Sequence, residues 1–552
     1  MTLFGTLTRR FAAPSPSGRG TPSDCVLLPL GEGGPGEART RKGEAQIKGR
    51  MRVSILSGIA TGTLLVLSLP KPDLYPLAWI ALVPLLITIA CESSPRRLMW
   101  SCYVAGLIFF SGAFYWITET MVIFGGLSVP LAVGVGVLFA VAYALYFVLF
   151  GAGLHLAVQR FGPRGVFFAA PLWVTVELLR AHLFSGFPWM LSGYALVPYA
   201  GVLQLAAWTG IYGLSFFATA VNSIITYGAI RHSKTCITGA AVTIAIAWFL
   251  PIIGETPSLD PIPVRLVQTN IPLDQPWEKP AAGELLAELG ALSTRGGSEP
   301  KLVVWPETPA PFYLSDLDFR ARMRRIAEKL GAYLLVGYID TIGEGPSNSA
   351  SILNPHGEVV SRYNKMHLVP FGEYVPFKRL LFFAESLTRQ VGDFSPGTEY
   401  TISSVDGHRL STAICYESIF PDLIRQFVKR GSELIVVITN DGWFGESSAP
   451  FQHLRMGVVR AVENRRYMVR TANTGISAII DPYGRIEART PIGVRMILDG
   501  TAHFRSDRTF YTQYGDVFAG GNAGIAAAVV LAAIYERRRS GTKEHKNARR
   551  IV

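Results

Sequence analysis

The stretch STAICYESIFPDLI, residues 411–424, runs an apolar strand into a single cysteine, with an acidic residue two places on and an amphipathic helix after it. Cys415 is the only cysteine between residues 254 and 515. A lone cysteine usually fills a core as a small hydrophobe. This one sits at a strand-to-helix turn, where a side chain is presented outward and a helix dipole favours a thiolate. The four other cysteines are Cys25, Cys91, Cys102 and Cys236, and no spacing among the five suits a metal site or a disulfide framework.

Around this stretch the chain alternates short β-branched strands with helices. Strands are expected in VRLVQTN, KLVVWPE, AYLLVGYID, SASILNP, RLSTAICYE, ELIVVITND and SAIIDPYG, each bounded by turn residues. Helices are expected in AAGELLAELGAL, DLDFRARMRRIAEKLG, PDLIRQFVKRG and PFQHLRMGVVRAVENRR, from apolar residues at helical spacing. Strand–helix alternation predicts an α/β or layered α+β domain with its chemistry at the carboxyl ends of strands.

The rest of the chain is far more apolar. The 552 residues are 49% hydrophobic and 17% charged, with a mean hydropathy of +0.30. Apolar runs of spanning length fall at about 52–69, 74–90, 98–117, 127–157, 165–182, 198–228, 236–253 and 518–535. The expected organisation is a seven-helix transmembrane domain over 51–253, an extracytoplasmic domain over 254–515, an eighth span over 516–536 and a basic tail over 537–552. Residues 1–50 are rich in Gly, Pro and Arg without periodicity, and read as a disordered leader or an upstream start-codon error before Met51.

The net charge of +12 does not point to nucleic acid. Its basic residues cluster where the positive-inside rule places them: Arg50 and Arg52, then SPRRL, QRFGPRG, RHSK and the tail ERRRSGTKEHKNARR. Both termini are therefore expected in the cytoplasm and the inserted domain on the outer side of the membrane. A transporter would carry more ionisable residues mid-span than Glu177 and Arg180.

Two further residues join Cys415. Glu307 closes LVVWPE just past a buried strand, and Lys365 lies in RYNKMHLVPFGEYVPF among aromatics and prolines. A cysteine attacking a carbonyl needs a base to take its proton and a cation to hold the oxyanion. Glu, Lys and Cys in that order resemble the triad of the carbon–nitrogen hydrolase (nitrilase) superfamily, which implies a four-layer α-β-β-α sandwich. Within the topology above, GFPWMLSGYAL, QTNIPLDQPWE, NKMHLVPFGEYVPF, TNDGWFG and QHLRMGVVRAVENRRYMVRTANTGIS resemble the apolipoprotein N-acyltransferase family.

That resemblance makes Cys415 the nucleophile, Glu307 the general base, Lys365 the oxyanion stabiliser and Glu373 a supporting carboxylate. It gives the Tyr416 N–H to the oxyanion site, Glu417 to the pocket's shape, and Trp277 and Trp443 to the acyl chain and lid. The implied reaction moves the sn-1 acyl chain of a phospholipid, phosphatidylethanolamine by expectation, through a cysteine thioester to the amine of a diacylated apolipoprotein. No metal or organic cofactor is implied, and a monomer is expected. The rival is a membrane-tethered nitrilase-like amidase acting on a soluble amide, for which one anchor would suffice.

Overall fold

A computed structural model describes residues 38–252, 260–273, 279–297, 299–309, 312–313, 315–343, 345–374 and 393–548. The leader's first 37 residues and Trp277 lie outside the described residues.

The first half is helical: α1 (Ala38–Leu67), α2 (Val83–Cys91), α3 (Pro95–Ala113), α4 (Trp116–Ile123), α5 (Val129–Phe161), α6 (Ala169–His182), α7 (Ala200–Leu203), α8 (Ala206–Thr209), α9 (Ile211–Ile230) and α10 (Lys234–Phe249). Every apolar run read from the sequence falls on helix. Three helical stretches are long and apolar enough to cross a membrane: Val129–His182, Ile211–Ile230 and Val517–Arg539. The pair α3 and α4, bent by 47°, makes a fourth if it counts as one span. Met51–Leu67, Tyr75–Cys91 and Lys234–Phe249 are apolar but shorter. By length and composition, then, the described helices do not reach the expected eight.

One expected span starts later than expected, its apolar helix running Ile211–Ile230. Residues 198–228 are not one helix, because the chain breaks at Gly210, whose φ is +63°. A β-carbon there would lie 2.6 Å from the Tyr511 ring, so only glycine fits. The helix proper starts at Ile211, whose N–H is capped by Glu463 Oε1 at 2.9 Å. Among the described residues, Cys102, Cys236 and Cys415 are free thiols.

The inserted domain is two six-stranded sheets. The strands are β1 (Pro261–Gln268), β2 (Leu302–Val304), β3 (Tyr333–Ile342), β4 (Gly345–Leu353), β5 (Val359–Asn364), β6 (Ile402–Val405), β7 (His408–Ile414), β8 (Leu434–Thr439), β9 (Met468–Ala472), β10 (Ala478–Ile480), β11 (Ile486–Arg489) and β12 (Met496–His503). One sheet has the order β12-β1-β2-β3-β4-β5 and the other β11-β10-β9-β8-β7-β6. The seven expected strands are all present. The sequence reading passed over β5, β6, β9, β11 and β12, which are short or polar-faced.

Period-two alternation sorts the first sheet's side chains into two cores. Leu266, Val304 and Leu335 point toward the second sheet, whose Val436, Ile438 and Ile414 share their core. Their neighbours Val267, Val303, Leu334 and Val336 face the other way, onto Leu285, Leu286 and Leu289 of α11 (Lys279–Ser293) and Phe319 and Met323 of α12 (Leu317–Leu330). The far side of the second sheet carries α13 (Pro421–Lys429) and α14 (Ala449–Asn464), through Ile424, Phe427, Met456 and Val459. The layers are helix, sheet, sheet, helix, the nitrilase-like sandwich expected. The chain closes with α15 (Phe510–Tyr514) and α16 (Val517–Ala548).

Helix α14 fastens the sandwich to the helical half. Gln452 Oε1 accepts the Trp189 indole N–H at 2.7 Å, while its Nε2 donates to the carbonyls of Pro70 (3.2 Å) and Ala113 (3.1 Å). Arg455 pairs with Asp73 at 2.8 Å, and the Arg460 guanidinium donates to the Tyr194 hydroxyl at 3.1 Å. Three separate segments of the helical half are thus tied to one helix. Gln452→Leu leaves the buried Trp189 N–H without its partner, at a cost of roughly 1–3 kcal/mol. Thermal unfolding of the purified variant in detergent should show a lowered midpoint, and an unchanged midpoint would show that this contact does not hold the halves together.

Candidate active site

Three strand ends converge. Glu307 lies three residues past β2, Lys365 directly follows β5, and Cys415 directly follows β7. Glu307 is seated by close backbone packing, because Gly337 of β3 lies against the Pro306–Thr308 turn. A β-carbon on Gly337 would come within 2.7 Å of Pro306 O and of Thr308 N.

Lys365 is 1% exposed and its ammonium is shared by two carboxylates, with Nζ 3.2 Å from Glu307 Oε1 and 2.9 Å from Glu373 Oε1. Asn348, on β4, donates its Nδ2 to the same two oxygens at 2.7 and 2.9 Å. The other oxygen of each carboxylate accepts a backbone N–H: Asn440 for Glu307 (2.8 Å) and Val369 for Glu373 (2.8 Å). Burial alone would pull the Lys365 ammonium down, but the two carboxylates outweigh it and hold the group above its ordinary range.

Cys415 is 7% exposed and has a φ of +51°, a left-handed value that side-chain-bearing residues rarely adopt. Burial, then the Glu307 carboxylate, push its thiol well above the usual range, against the pull of Lys365 and a hydrogen bond with Thr439. This corrects the expectation that a helix dipole favours the thiolate. Cys415 opens a five-residue 3-10 turn, Cys415–Ile419, and α13 starts only at Pro421. Cys415 therefore rests as a thiol beside a carboxylate.

Glu417 is fully buried and bound by four donors. Its Oε1 accepts from the Tyr363 hydroxyl (2.7 Å), Met366 N–H (2.7 Å) and His367 N–H (3.2 Å), and its Oε2 from Ile414 N–H (2.7 Å). It therefore ties the cysteine turn to the segment that carries Lys365. Burial raises its carboxyl, although these bonds oppose the shift. The Tyr416 ring meets Phe420 edge-on at 5.1 Å and His367 at 5.8 Å. Burial and Lys365 push His367 down to about 4, so it is uncharged at neutral pH.

The structure brings together Cys415, Glu307, Lys365, Glu373, Tyr416 and Glu417. Trp443 stands apart from them, 38% exposed, with its ring 5.1 Å from Phe124 and its carbonyl accepting from Thr120 at 2.9 Å. Sequence reasoning missed Asn348, which reads as an ordinary polar residue inside a strand. It also missed His453, whose signal was available as the Gln452–His453 pair on α14. Among the described residues no group of three or more His, Cys, Asp or Glu is placed to hold a metal ion.

Residues 61–224 match the family described as the apolipoprotein N-acyltransferase N-terminal domain, and residues 263–498 match the carbon–nitrogen hydrolase family. An apolipoprotein N-acyltransferase of Geobacter metallireducens is 38% identical over 511 residues, covering 89% of this chain and 96% of the relative. Those of Methylococcus capsulatus (32% over 469 residues; 83% and 91% covered) and Thermotoga maritima (30% over 481 residues; 84% and 91%) bear the same name. Among solved structures, Saccharomyces cerevisiae Nit3 of the nitrilase superfamily matches with 21% identity and a TM-score of 0.36, over 45% of this chain and 93% of its own.

The charge balance around the thiol has a measurable consequence. A thiol held above its ordinary range is alkylated slowly at neutral pH, with a rate that keeps rising as pH climbs past 9. Because the Glu307 charge raises the thiol and the Lys365 charge lowers it, Glu307→Gln should shift the iodoacetamide rate–pH profile to lower pH and Lys365→Ala to higher pH. A plateau below pH 7 in the parent protein would reveal a preformed thiolate and contradict this balance.

Proposed function

The chain belongs to the apolipoprotein N-acyltransferase family, and from that premise we propose a ping-pong transfer of the sn-1 acyl chain of a membrane phospholipid, through a thioester on Cys415, to the N-terminal amine of a diacylated apolipoprotein. The observation that carries this reading is the buried Glu307–Lys365–Glu373 cluster beside a free thiol at the end of β7.

In the first half-reaction Glu307 takes the thiol proton as Sγ bonds to the ester carbonyl carbon. The negative charge leaves the carboxylate and appears on the substrate oxygen, where the Lys365 ammonium and the Tyr416 N–H hold it. Collapse breaks the ester bond, and Glu307 returns its proton to the departing lysophospholipid hydroxyl. In the second half-reaction the lipoprotein amine attacks the thioester, Glu307 takes a proton from the nitrogen, and collapse forms the amide and restores the thiol. Glu373 keeps Lys365 oriented throughout, and Glu417 keeps the cysteine turn against the lysine segment.

Phosphatidylethanolamine is the proposed donor. The helical half would hold the site at the bilayer surface, with the sandwich on the periplasmic side, both termini in the cytoplasm and the protein a monomer. Acquiring two lipid-anchored substrates is a reason for so many apolar helices. A tethered amidase would need one anchor, and the match of residues 61–224 to the N-acyltransferase domain weighs against it.

The test loads each variant with labelled phospholipid, quantifies the thioester, then adds diacylated lipopeptide and follows the amide. Cys415→Ala should form no adduct while remaining in the membrane. Glu307→Gln should lose loading by about 10²–10⁴-fold, the usual worth of a general base. Lys365→Ala should fail at the same step, losing roughly 3–4 kcal/mol of oxyanion stabilisation. Glu417→Ala should still load but transfer poorly. A Glu307→Gln enzyme that loads at the parent rate would remove Glu307 as the base and point to Glu373.

A further inference from the structure

Beneath the nucleophile lies a second buried cluster that the acyl transfer above does not use. His453, on α14, and Asp441, two residues past β8, have no appreciable exposure, and neither does Arg470 of β9. His453 Nε2 is 3.2 Å from the carbonyl oxygen of Cys415 and 2.8 Å from Ser418 Oγ. Ser418 donates its own hydroxyl proton to that carbonyl at 2.9 Å, which leaves its oxygen to accept. A carbonyl oxygen only accepts, so the imidazole bond to it requires the proton on Nε2.

Behind the ring, Nδ1 accepts from Arg470 Nη2 at 3.0 Å and lies 2.9 Å from Asp441 Oδ1, and Arg470 donates to Asp441 Oδ2 at 2.6 Å. Asp441 Oδ1 also accepts the Thr439 hydroxyl at 2.9 Å, and Thr439 in turn reaches the Cys415 thiol. The contacts form a closed ring. They leave Cys415 through its side chain and return to it at its carbonyl. The far face of the imidazole meets Trp189 of the helical half, ring to ring at 5.5 Å.

Cys415 has reason to need such a brace, since its φ of +51° lies where a β-carbon is disfavoured. Its turn persists only where the surroundings over-determine it. We propose that His453 is a positioning residue for the nucleophile: the Asp441–Arg470 pair locks its imidazole, and its Nε2–H holds the Cys415 carbonyl so that the thiol stays aimed at the reacting carbon. This inference rests on Cys415 being the nucleophile of acyl transfer.

The experiment compares His453→Gln, His453→Asn and His453→Leu in the full chain, purified in detergent. A glutamine amide nitrogen reaches about where Nε2 stood and can still donate to the carbonyl, whereas an asparagine amide reaches only the Nδ1 position. Two rates are read: thioester loading from labelled phospholipid, and iodoacetamide alkylation of Cys415, which involves no lipid. His453→Leu and His453→Asn should lose about tenfold or more in kcat for loading with KM nearly unchanged, as a small misplacement of a reacting group does. His453→Gln should recover most of that loss, and the alkylation rates should change in the same order. Parent-like loading and alkylation in His453→Leu would overturn the proposal. So would equal impairment of the glutamine and asparagine variants, which indicates packing alone; that comparison decides the matter even if the leucine variant does not fold. A parent protein whose Cys415 is alkylated but never loaded by phospholipid would sink the acyl-transfer reading, and the alkylation order would still judge the positioning of the thiol.

Discussion

One ammonium shared by two carboxylates organises the site. Lys365 is buried just past the end of β5 with Glu307 and Glu373 on it, and Asn348 bridges the same two oxygens. A lysine so far from water is tolerable only because it is paired and hydrogen-bonded. The pair is not balanced, however, since two carboxylates face one ammonium. Burial keeps the proton on the Cys415 thiol, and the Glu307 carboxylate adds to the effect against the pull of Lys365. A preformed thiolate would make a third anion in a dry pocket. In the proposed chemistry the thiol ionises only as Glu307 is neutralised, so the total charge of the site stays constant while the negative charge moves onto the substrate oxygen near Lys365.

The scaffold is arranged around that movement of charge. Each of the three groups proposed to react stands past the end of a different strand, β2, β5 or β7, so their backbone positions are set by sheet registers. Glu417 ties the cysteine turn to the lysine segment through four donors. Helix α14 then serves two surfaces. One carries His453 to the underside of Cys415, and Gln452 and Arg455 on the same helix grip the helical half. The position of the thiol and the docking of the apolar helices therefore depend on one element.

Much of this was legible in the sequence because strand ends carry visible punctuation. Glu307 follows a run of β-branched residues, Lys365 sits in an aromatic stretch and Cys415 stands alone in its domain. Asn348 was not legible, because a polar residue inside a strand looks the same whether it faces solvent or bridges two carboxylates. The sense of the thiol's shift was misread for a similar reason. Sequence showed a following helix but not the 3-10 turn that intervenes, nor the depth of burial. The helix break at Gly210 was hidden too, since its cause is the ring of Tyr511 about three hundred residues further on. Short polar-faced strands such as β5 and β11 escaped because their pattern is set by sheet neighbours rather than by their own residues.

The most direct test of the central claim is the intact mass of the parent protein after incubation with a phospholipid of defined acyl chains. The account predicts a gain equal to one sn-1 acyl group less a proton, located on Cys415, labile to hydroxylamine at neutral pH and matched mole for mole by lysophospholipid. Adding a diacylated lipopeptide should then return the protein to its starting mass as the triacylated amide appears. Amide formed from phospholipid and lipopeptide with no acyl group ever residing on Cys415 would contradict the account.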